Sequence, residues 1–474
     1  MGDVTLNGGA AVPLSRGLGF WTIWAIGVGA VVGDGVFLYT AEAISTSGAS
    51  SMVAFIFAGL TQMAIMVAMC ELSIGMPSAG GPTVWVVKYL NRFWGLLSGL
   101  AFSVGWIIIG GSVSVALGRF IAYWTPNLPL VGATILWAAV FFTAFLIMNI
   151  VGVKFMARGQ LILCLILIGI MVVFGVGGLV KGMDMDNFTP FAPAGIGGIT
   201  ESIPIAVYAF MGASCICFAG EECKRSIDLA RALIWSSVTF IVVYTIALLV
   251  VIGNIPYAEV TQDMSPFTQT AEVVFGPLGG HIVNLAAAIA AGTCLVSGCL
   301  YTPSRLLYSM SLKGYMPKIF GRINPKTKTP VHGLVIIWIV GMIGIIVAAA
   351  PWAKTEDQLD TAMEFYNFLC NQAVIAWIIS WALSIIAGIR FRIELGGDTI
   401  RKKFGWAQPL FPLIPVIALV SCGYCLYLSF YDAWQFIAFA IWMGGYCVYY
   451  AFIQRKYKAG LISDDMGFSI EHVE

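Results

Sequence analysis

Twelve long apolar runs constrain what this chain can fold into more than any other feature. They lie at about 19–47, 51–75, 94–124, 129–150, 158–181, 200–221, 231–253, 281–312, 331–350, 362–389, 410–430 and 434–453. Each supplies roughly the 20 mainly apolar residues that a helix needs to cross a bilayer. In hydrocarbon every backbone amide must find its partner inside the protein, so such runs are read as helices. Of the 474 residues, 59% are hydrophobic and 10% charged, where a soluble domain carries about 25% charged residues. The expectation is an all-α polytopic membrane protein with twelve transmembrane helices. The longest polar stretches, about 313–330, 390–408 and 454–474, leave no room for a soluble domain between spans. Residues 1–15 carry no basic segment, so the first run is not read as a cleaved signal.

The basic residues predict the orientation. With residues 1–18 placed in the cytoplasm, all but Lys181, Lys354 and Arg119 of the 25 basic residues fall on that side. Cytoplasmic loops carry such an excess. Both termini are then cytoplasmic, including the tail 454–474, and the expected location is the cytoplasmic (plasma) membrane. A miscount by one span would scramble the asymmetry.

The eleven cysteines fall almost entirely within the runs, which argues against a disulfide framework. Cys422 and Cys425 share one face of an apolar helix, where small-residue packing accounts for them. His281, His332 and His472 are scattered, and neither a metal site nor a cofactor motif is expected.

Within the first run the stretch "AVVGDGVFLYT", Ala30 to Thr40, places Asp34 between Gly33 and Gly35. An unpaired carboxylate at the centre of a membrane helix costs about 2.5–3.5 kcal/mol on insertion scales. Glycines at 27, 29, 33 and 35 also free the backbone from helical geometry. Gly29 and Gly33 have the spacing of a small-residue packing motif. The aspartate favours a second reading, a helix broken at a functional site. Five runs later, in "YAFMGASCICFAGEE", Gly212, Ala213 and Ser214 interrupt another helix. Two interruptions at corresponding places in two five-helix halves are the pattern of an inverted-repeat transporter, with its substrate near the bilayer midplane. The expected organisation is a first five-helix repeat at 19–181, a second at 200–389 with helices 1 and 6 broken, and two extra helices at 410–453. Half-helix amides at the breaks can hold a carboxylate.

Three stretches give the chain a family resemblance. They are "GVGAVVGDGVF", "CELSIGMPSAGGPTVWVVKYL" (Cys70 to Leu90) and "SRLLYSMSLKGYMPKIFGRINPKTKTP" (Ser304 to Pro330). In that order and spacing the sequence resembles the amino acid–polyamine–organocation superfamily, over essentially the first ten runs. The resemblance implies the five-plus-five inverted repeat, alternating access, and an amino acid or small organic amine as substrate. It implies a permease or exchanger, whether antiporter or symporter, with the lipid bilayer and a small molecule as partners and no nucleic acid. Gly33, Gly35, Gly212, Ala213 and Ser214 match the broken-helix positions, and Phe210 either matches an aromatic gate of the family or packs in the core.

Departures from the family pattern matter for the substrate. Amino acid carriers of this family usually have a small hydroxyl where this chain has Asp34. A carboxylate there would repel a bound carboxylate by about 4 kcal/mol at an effective dielectric near 20. Asp34 then faces a substrate ammonium, carries a coupled proton, or caps the second half-helix. Proton-coupled relatives often place a lysine in helix five, where this chain has Leu167. Sodium-coupled relatives need hydroxyls in helix eight, and Thr293 and Ser297 are offered, with Cys294 and Leu295 between them. Trp106 and Tyr301 either line the cavity as a cation–π surface or pack in the core. Glu71, Glu221 and Glu222 are expected to form inward-face salt bridges with Lys88, Lys224, Arg225 or Arg305. "EECKRSIDLARAL" lacks both family prolines of that loop.

A ligand sensor without net transport is the alternative to a carrier, though no large signalling domain accompanies the spans. An enzyme is not expected, since the chain shows neither H-E-x-x-H nor a phosphate loop.

Overall fold

The structure is a computed structural model that describes residues 14–260, 265–349 and 359–462. Most of the expected outer loop with Lys354 lies outside these residues, as does most of the C-terminal tail. Among the described residues the regular structure is helical, apart from one isolated parallel bridge between Leu18 and Cys223.

The α-helices in chain order are α1 (Phe20–Val31), α2 (Asp34–Ser47), α3 (Ser51–Gly75), α4 (Pro82–Tyr89), α5 (Arg92–Ala122), α6 (Leu130–Val151), α7 (Val153–Lys181) and α8 (Gly195–Ala209). They continue as α9 (Ile227–Asn254), α10 (Pro266–Phe275), α11 (Pro277–Cys294), α12 (Thr302–Leu312) and α13 (Val331–Ala349). The last four are α14 (Leu359–Leu395), α15 (Gly397–Phe404), α16 (Leu413–Ser429) and α17 (Ala433–Lys458). A 3₁₀ segment, Ala213–Ala219, follows α8, and a π-helical segment, Leu295–Tyr301, joins α11 to α12.

Nine helical stretches among these residues are long and apolar enough to cross a membrane. Two further apolar helices are shorter, Val331–Val347 and Leu413–Ser429. The division differs from the twelve runs because Phe20–Gly75, 56 residues long, is one stretch that holds α1, α2 and α3. The chain is a multi-pass membrane protein.

Burial sorts the helices. The apolar windows of Gly195–Ala219 and Pro277–Leu312 are 89% and 83% buried, whereas that of α17 is 11% buried. Before its basic last turn, α17 nevertheless exposes large apolar side chains, among them Trp434, Ile441, Val448 and Phe452. A helix that is apolar on its outer face belongs against lipid rather than water. The two most enclosed stretches carry the second break and the π-helical segment, and the first break packs beside them. There α1 packs on α9, α7 and the 3₁₀ segment, and α2 packs on α8.

Local chemistry explains the joins. Met76 ends α3, and the chain turns through Pro77–Gly81 into α4, which has proline in its first turn. Gly81 has φ +40°, and a Cβ there would stand 3.2 Å from the Cys217 carbonyl oxygen. Gly220 is pressed on the same loop: its Cβ would lie 2.2 Å from the Ser78 nitrogen. The glycine-rich signature after α3 thus exists because two backbones meet without side chains between them. Asn91 caps α5 by accepting from the Trp94 amide at 3.1 Å.

Candidate functional site

The first break falls at Val32 and Gly33. Val32 (φ −78°, ψ 80°) ends α1, and extended Gly33 is the N-cap of α2. Asp34 is therefore the first residue of α2 and is 1% exposed. A carboxylate in a first helical turn sits at the positive end of the dipole. The carbonyls released by the break are not left bare. The Tyr244 hydroxyl of α9 donates to the Val31 oxygen at 3.1 Å. Thr293 Oγ1 of α11 donates at 3.5 Å toward the Val32 oxygen and at 2.9 Å to Ala290. Side chains from neighbouring helices thus satisfy the unwound backbone, the condition for its survival at membrane depth.

The second break follows Ala209. Phe210 and Met211 make a turn, and Gly212 has φ +135°. A Cβ at Gly212 would lie 2.4 Å from both the carbonyl carbon and the oxygen of Ala30. The two breaks are therefore in direct backbone contact, at a residue that must be glycine for both its conformation and the approach. Gly35 also lies close to Tyr208, whose ring carbons would meet its Cβ at 2.8 Å. After the break the chain differs from a half-helix: it runs as a seven-residue 3₁₀ segment, so few aligned amides face the break. Its path is held by Ser214, whose hydroxyl accepts from Trp381 Nε1 at 3.1 Å, and by Gly220 against the Pro77–Ser78 backbone. Phe210 is buried in an aromatic cluster with Phe55, Phe240 and Tyr244, with ring centroids 6.0, 5.6 and 5.0 Å away.

A third irregularity lies alongside. The π-helical segment Leu295–Tyr301 interrupts the helix that carries Thr293, and π-bulges recur at functional sites. Gly298 faces Trp106, whose ring would come within 2.2 Å of an added Cβ. Sequence reading missed this element. Its one signal was Pro303, which has no amide hydrogen for a helical bond and crowds the preceding turn.

Gln160 was also missed. From α7 its Nε2 donates to the Thr293 oxygen at 3.0 Å and Ser297 Oγ at 3.2 Å, with a longer bond of 3.4 Å to the Ala25 oxygen. A Cβ on Gly29 would lie 1.8 Å from that nitrogen. Gly29 thus makes room for a side chain that ties α1 to α11. It is Gln160, seven residues before Leu167, that α7 sends into this seam. Ser297 in turn donates to the Thr293 oxygen at 2.8 Å.

At the basic end of the molecule two ion pairs appear, one fully buried and one partly so. Arg305 of α12 meets Glu222, with Nη2–Oε1 and Nε–Oε2 both 3.3 Å and both side chains fully buried. Tyr301 donates to Glu222 Oε2 at 2.6 Å, and the Arg305 guanidinium stacks 4.2 Å from the Tyr301 ring centre. The cation on Tyr301 is thus the protein's own arginine. Trp106 packs on Trp377, ring centres 4.7 Å apart. Glu71 of α3 is paired with Arg392 of α14, and also accepts from the Gln408 amide at 2.7 Å. The expected partners of Glu71 did not include Arg392, 321 residues away. Glu221 accepts from the Ala79 amide at 3.1 Å, and Arg225 pairs with Asp228. Among the described residues no cysteine forms a disulfide, and all but Cys447 are buried.

The structure therefore brings Gly33, Asp34, Gly35, Phe210, Gly212 and Thr293 into one region, with Ala213 and Ser214 leading away from it. Glu71, Arg305 and Tyr301 belong instead to the charged seam.

Comparison with known proteins agrees with this geometry. The amino acid permease YtnA of Bacillus subtilis (strain 168) is 26% identical over 440 residues, 88% of this chain and 90% of the relative. The aromatic amino acid transport protein AroP of Escherichia coli (strain K12) is 26% identical over 451 residues, 90% and 94% of the two chains. Among solved structures, MhsT in complex with L-phenylalanine superposes with a TM-score of 0.59 at 15% identity, covering 88% of this chain and 99% of that one. At that identity the likeness bears on the fold alone. The family model for amino acid permeases matches residues 18–452. With two helix breaks in contact at its centre and that match along nearly its whole length, the chain belongs to the amino acid permease family.

Proposed function

We propose that this protein is a secondary carrier that moves amino acids or small organic amines by alternating access, with Asp34 facing the substrate ammonium or carrying a coupled proton. The observation that carries this reading is the contact of Gly212 with the Ala30 backbone, beside buried Asp34. It puts two broken helices and a carboxylate at one place. In this reading 19–181 and 200–389 form inverted five-helix repeats within twelve spans. Helices at 410–453 lie outside them, and both termini are cytoplasmic in the plasma membrane. The name of the Escherichia coli relative, an aromatic amino acid transport protein, supports an amino acid substrate.

The test is Asp34→Asn, which keeps shape and removes charge. If Asp34 holds an ammonium, affinity by calorimetry falls about ten- to a hundredfold, the scale of ~1.5–3 kcal/mol for a hydrogen bond to a charged group. If it carries the coupled proton, affinity persists while accumulation against a pH gradient in proteoliposomes disappears. Parental binding and uptake at every pH refute both. The substrate for these measurements comes from a thermal-shift screen, in which a ligand at 100 times its Kd adds about 2.7 kcal/mol of stability.

A further inference from the structure

A cavity of about 710 Å³ opens beside the foot of α1, lined in part by Trp21, Lys224, Arg225, Asp228, Arg231 and Trp235. It lies outside the break region and outside both ion pairs. Its charges do not cancel. Asp228 is engaged by Arg225 through two hydrogen bonds of 2.8 and 3.1 Å. Lys224 and Arg231 therefore leave the cavity with two positive charges that this carboxylate does not neutralise.

Its flanks are those of a membrane interface. Trp21 and Trp235 are 63% and 57% exposed, and exposed tryptophans collect at the level of lipid headgroups. With 28 residues, α9 exceeds the roughly 20 needed to cross the hydrocarbon, and the turns at this end carry Asp228 and Arg231. Beyond Trp235 the same face of α9 presents Val242 and Ile246, seven and eleven residues on, both exposed. A basic pocket at the boundary thus leads onto an apolar stripe.

We infer that this cavity binds the phosphate headgroup of an anionic glycerophospholipid, with Lys224 and Arg231 as the anion ligands and an acyl chain lying along α9. The basic charges select a phosphate without a compensating amine. The apolar stripe selects a lipid over a soluble phosphate.

Native mass spectrometry of the full-length protein tests this, using mixed phosphatidylglycerol and phosphatidylcholine micelles followed by stepwise delipidation. One phosphatidylglycerol is expected to stay bound in preference to phosphatidylcholine. Each basic side chain near an anionic headgroup contributes about a fivefold factor in binding, so Lys224→Ala/Arg231→Ala should weaken retention roughly 25-fold. Arg401→Ala/Lys402→Ala, which removes two exposed charges on α15, should leave it unchanged. If the first double variant does not fold, Arg231→Gln alone should weaken retention about fivefold. Equal retention of the two lipids, or equal loss from both double variants, overturns the site. Displacement of the lipid by glycerol phosphate at an equal concentration assigns the pocket to a soluble anion and overturns the lipid reading.

Discussion

Removing the cation at Arg305 gives the sharpest test of the charged seam. Glu222 and Arg305 are both without solvent exposure, and Glu222 also accepts from Tyr301 at 2.6 Å. In Arg305→Gln the carboxylate keeps the tyrosine and loses its counter-charge. Breaking a buried pair from one side costs about 3–5 kcal/mol. In the proposed carrier cycle that cost is escaped by populating the state in which the seam is open and Glu222 is hydrated. Cys223, the next residue, reports the change. It is buried, and burial pushes its thiol from 9.0 up to about 11. Because the thiolate is the reactive form, opening should raise its alkylation at neutral pH by up to about a hundredfold. Peptide-resolved mass spectrometry separates this signal from exposed Cys447. Replacing both members of a buried pair is often close to neutral. The double variant Glu222→Gln/Arg305→Gln should therefore return most of the way to the parental rate. A folded Arg305→Gln protein that labels at the parental rate refutes the reasoning, and so does a double variant that labels as fast as the single one.

Gly212→Ala should lower the unfolding midpoint sharply or abolish recovery of folded protein, since φ +135° and a 2.4 Å approach to Ala30 both exclude a Cβ; a strained φ alone costs about 1–3 kcal/mol. Gly132→Ala, with no atom within 4 Å of its added Cβ, should leave the midpoint in the same thermal-unfolding assay unchanged. Gly29→Ala should destabilise by collision with Gln160, and Gln160→Ala should partly rescue it; additive effects in that double-mutant cycle would mean the two residues do not meet. Reporter tags at about residue 400 and in the 351–361 loop should read opposite sides of the membrane, and the same side for both would refute the twelve-span topology.

Local chemistry made part of this molecule legible from its sequence. Gly33-Asp34-Gly35 stood out because a carboxylate and two helix-weakening residues occur together in an apolar run. Gly212 stood out as a glycine followed by small Ala213 and Ser214 in the apolar run five places later, and both breaks appear where the glycines predict them. The loop Pro77–Gly81 was readable as a signature, although the need for Gly81 only becomes visible once Cys217 is seen against it. What stayed hidden depends on distant partners. The choice of Arg392 for Glu71 is settled by α14 crossing α3, which no local pattern encodes. Gln160 reads as one polar residue near the start of a helix until Gly29 gives it a place to enter. The second break gave no sign of its 3₁₀ continuation, because that geometry is imposed by backbone contacts from other segments.

The chemistry of the two halves suggests why a chain with so few charges buries any. A buried ion pair adds little net stability over well-packed apolar side chains, and this chain has apolar residues in abundance. At the basic end it nevertheless holds Glu222 with Arg305 and Glu71 with Arg392. On the other side of the breaks, aromatic rings do the closing: Tyr39 lies on Tyr208 at 4.9 Å, and Phe210 sits among Phe55, Phe240 and Tyr244. An apolar seam that opens to water loses its burial energy with nothing in return. A charged seam exchanges its partner for hydration, so its closed and open states lie closer in energy. In the proposed alternating-access cycle that exchange lets the basic end open at small cost, and removing one of the two charges tips it toward the open state.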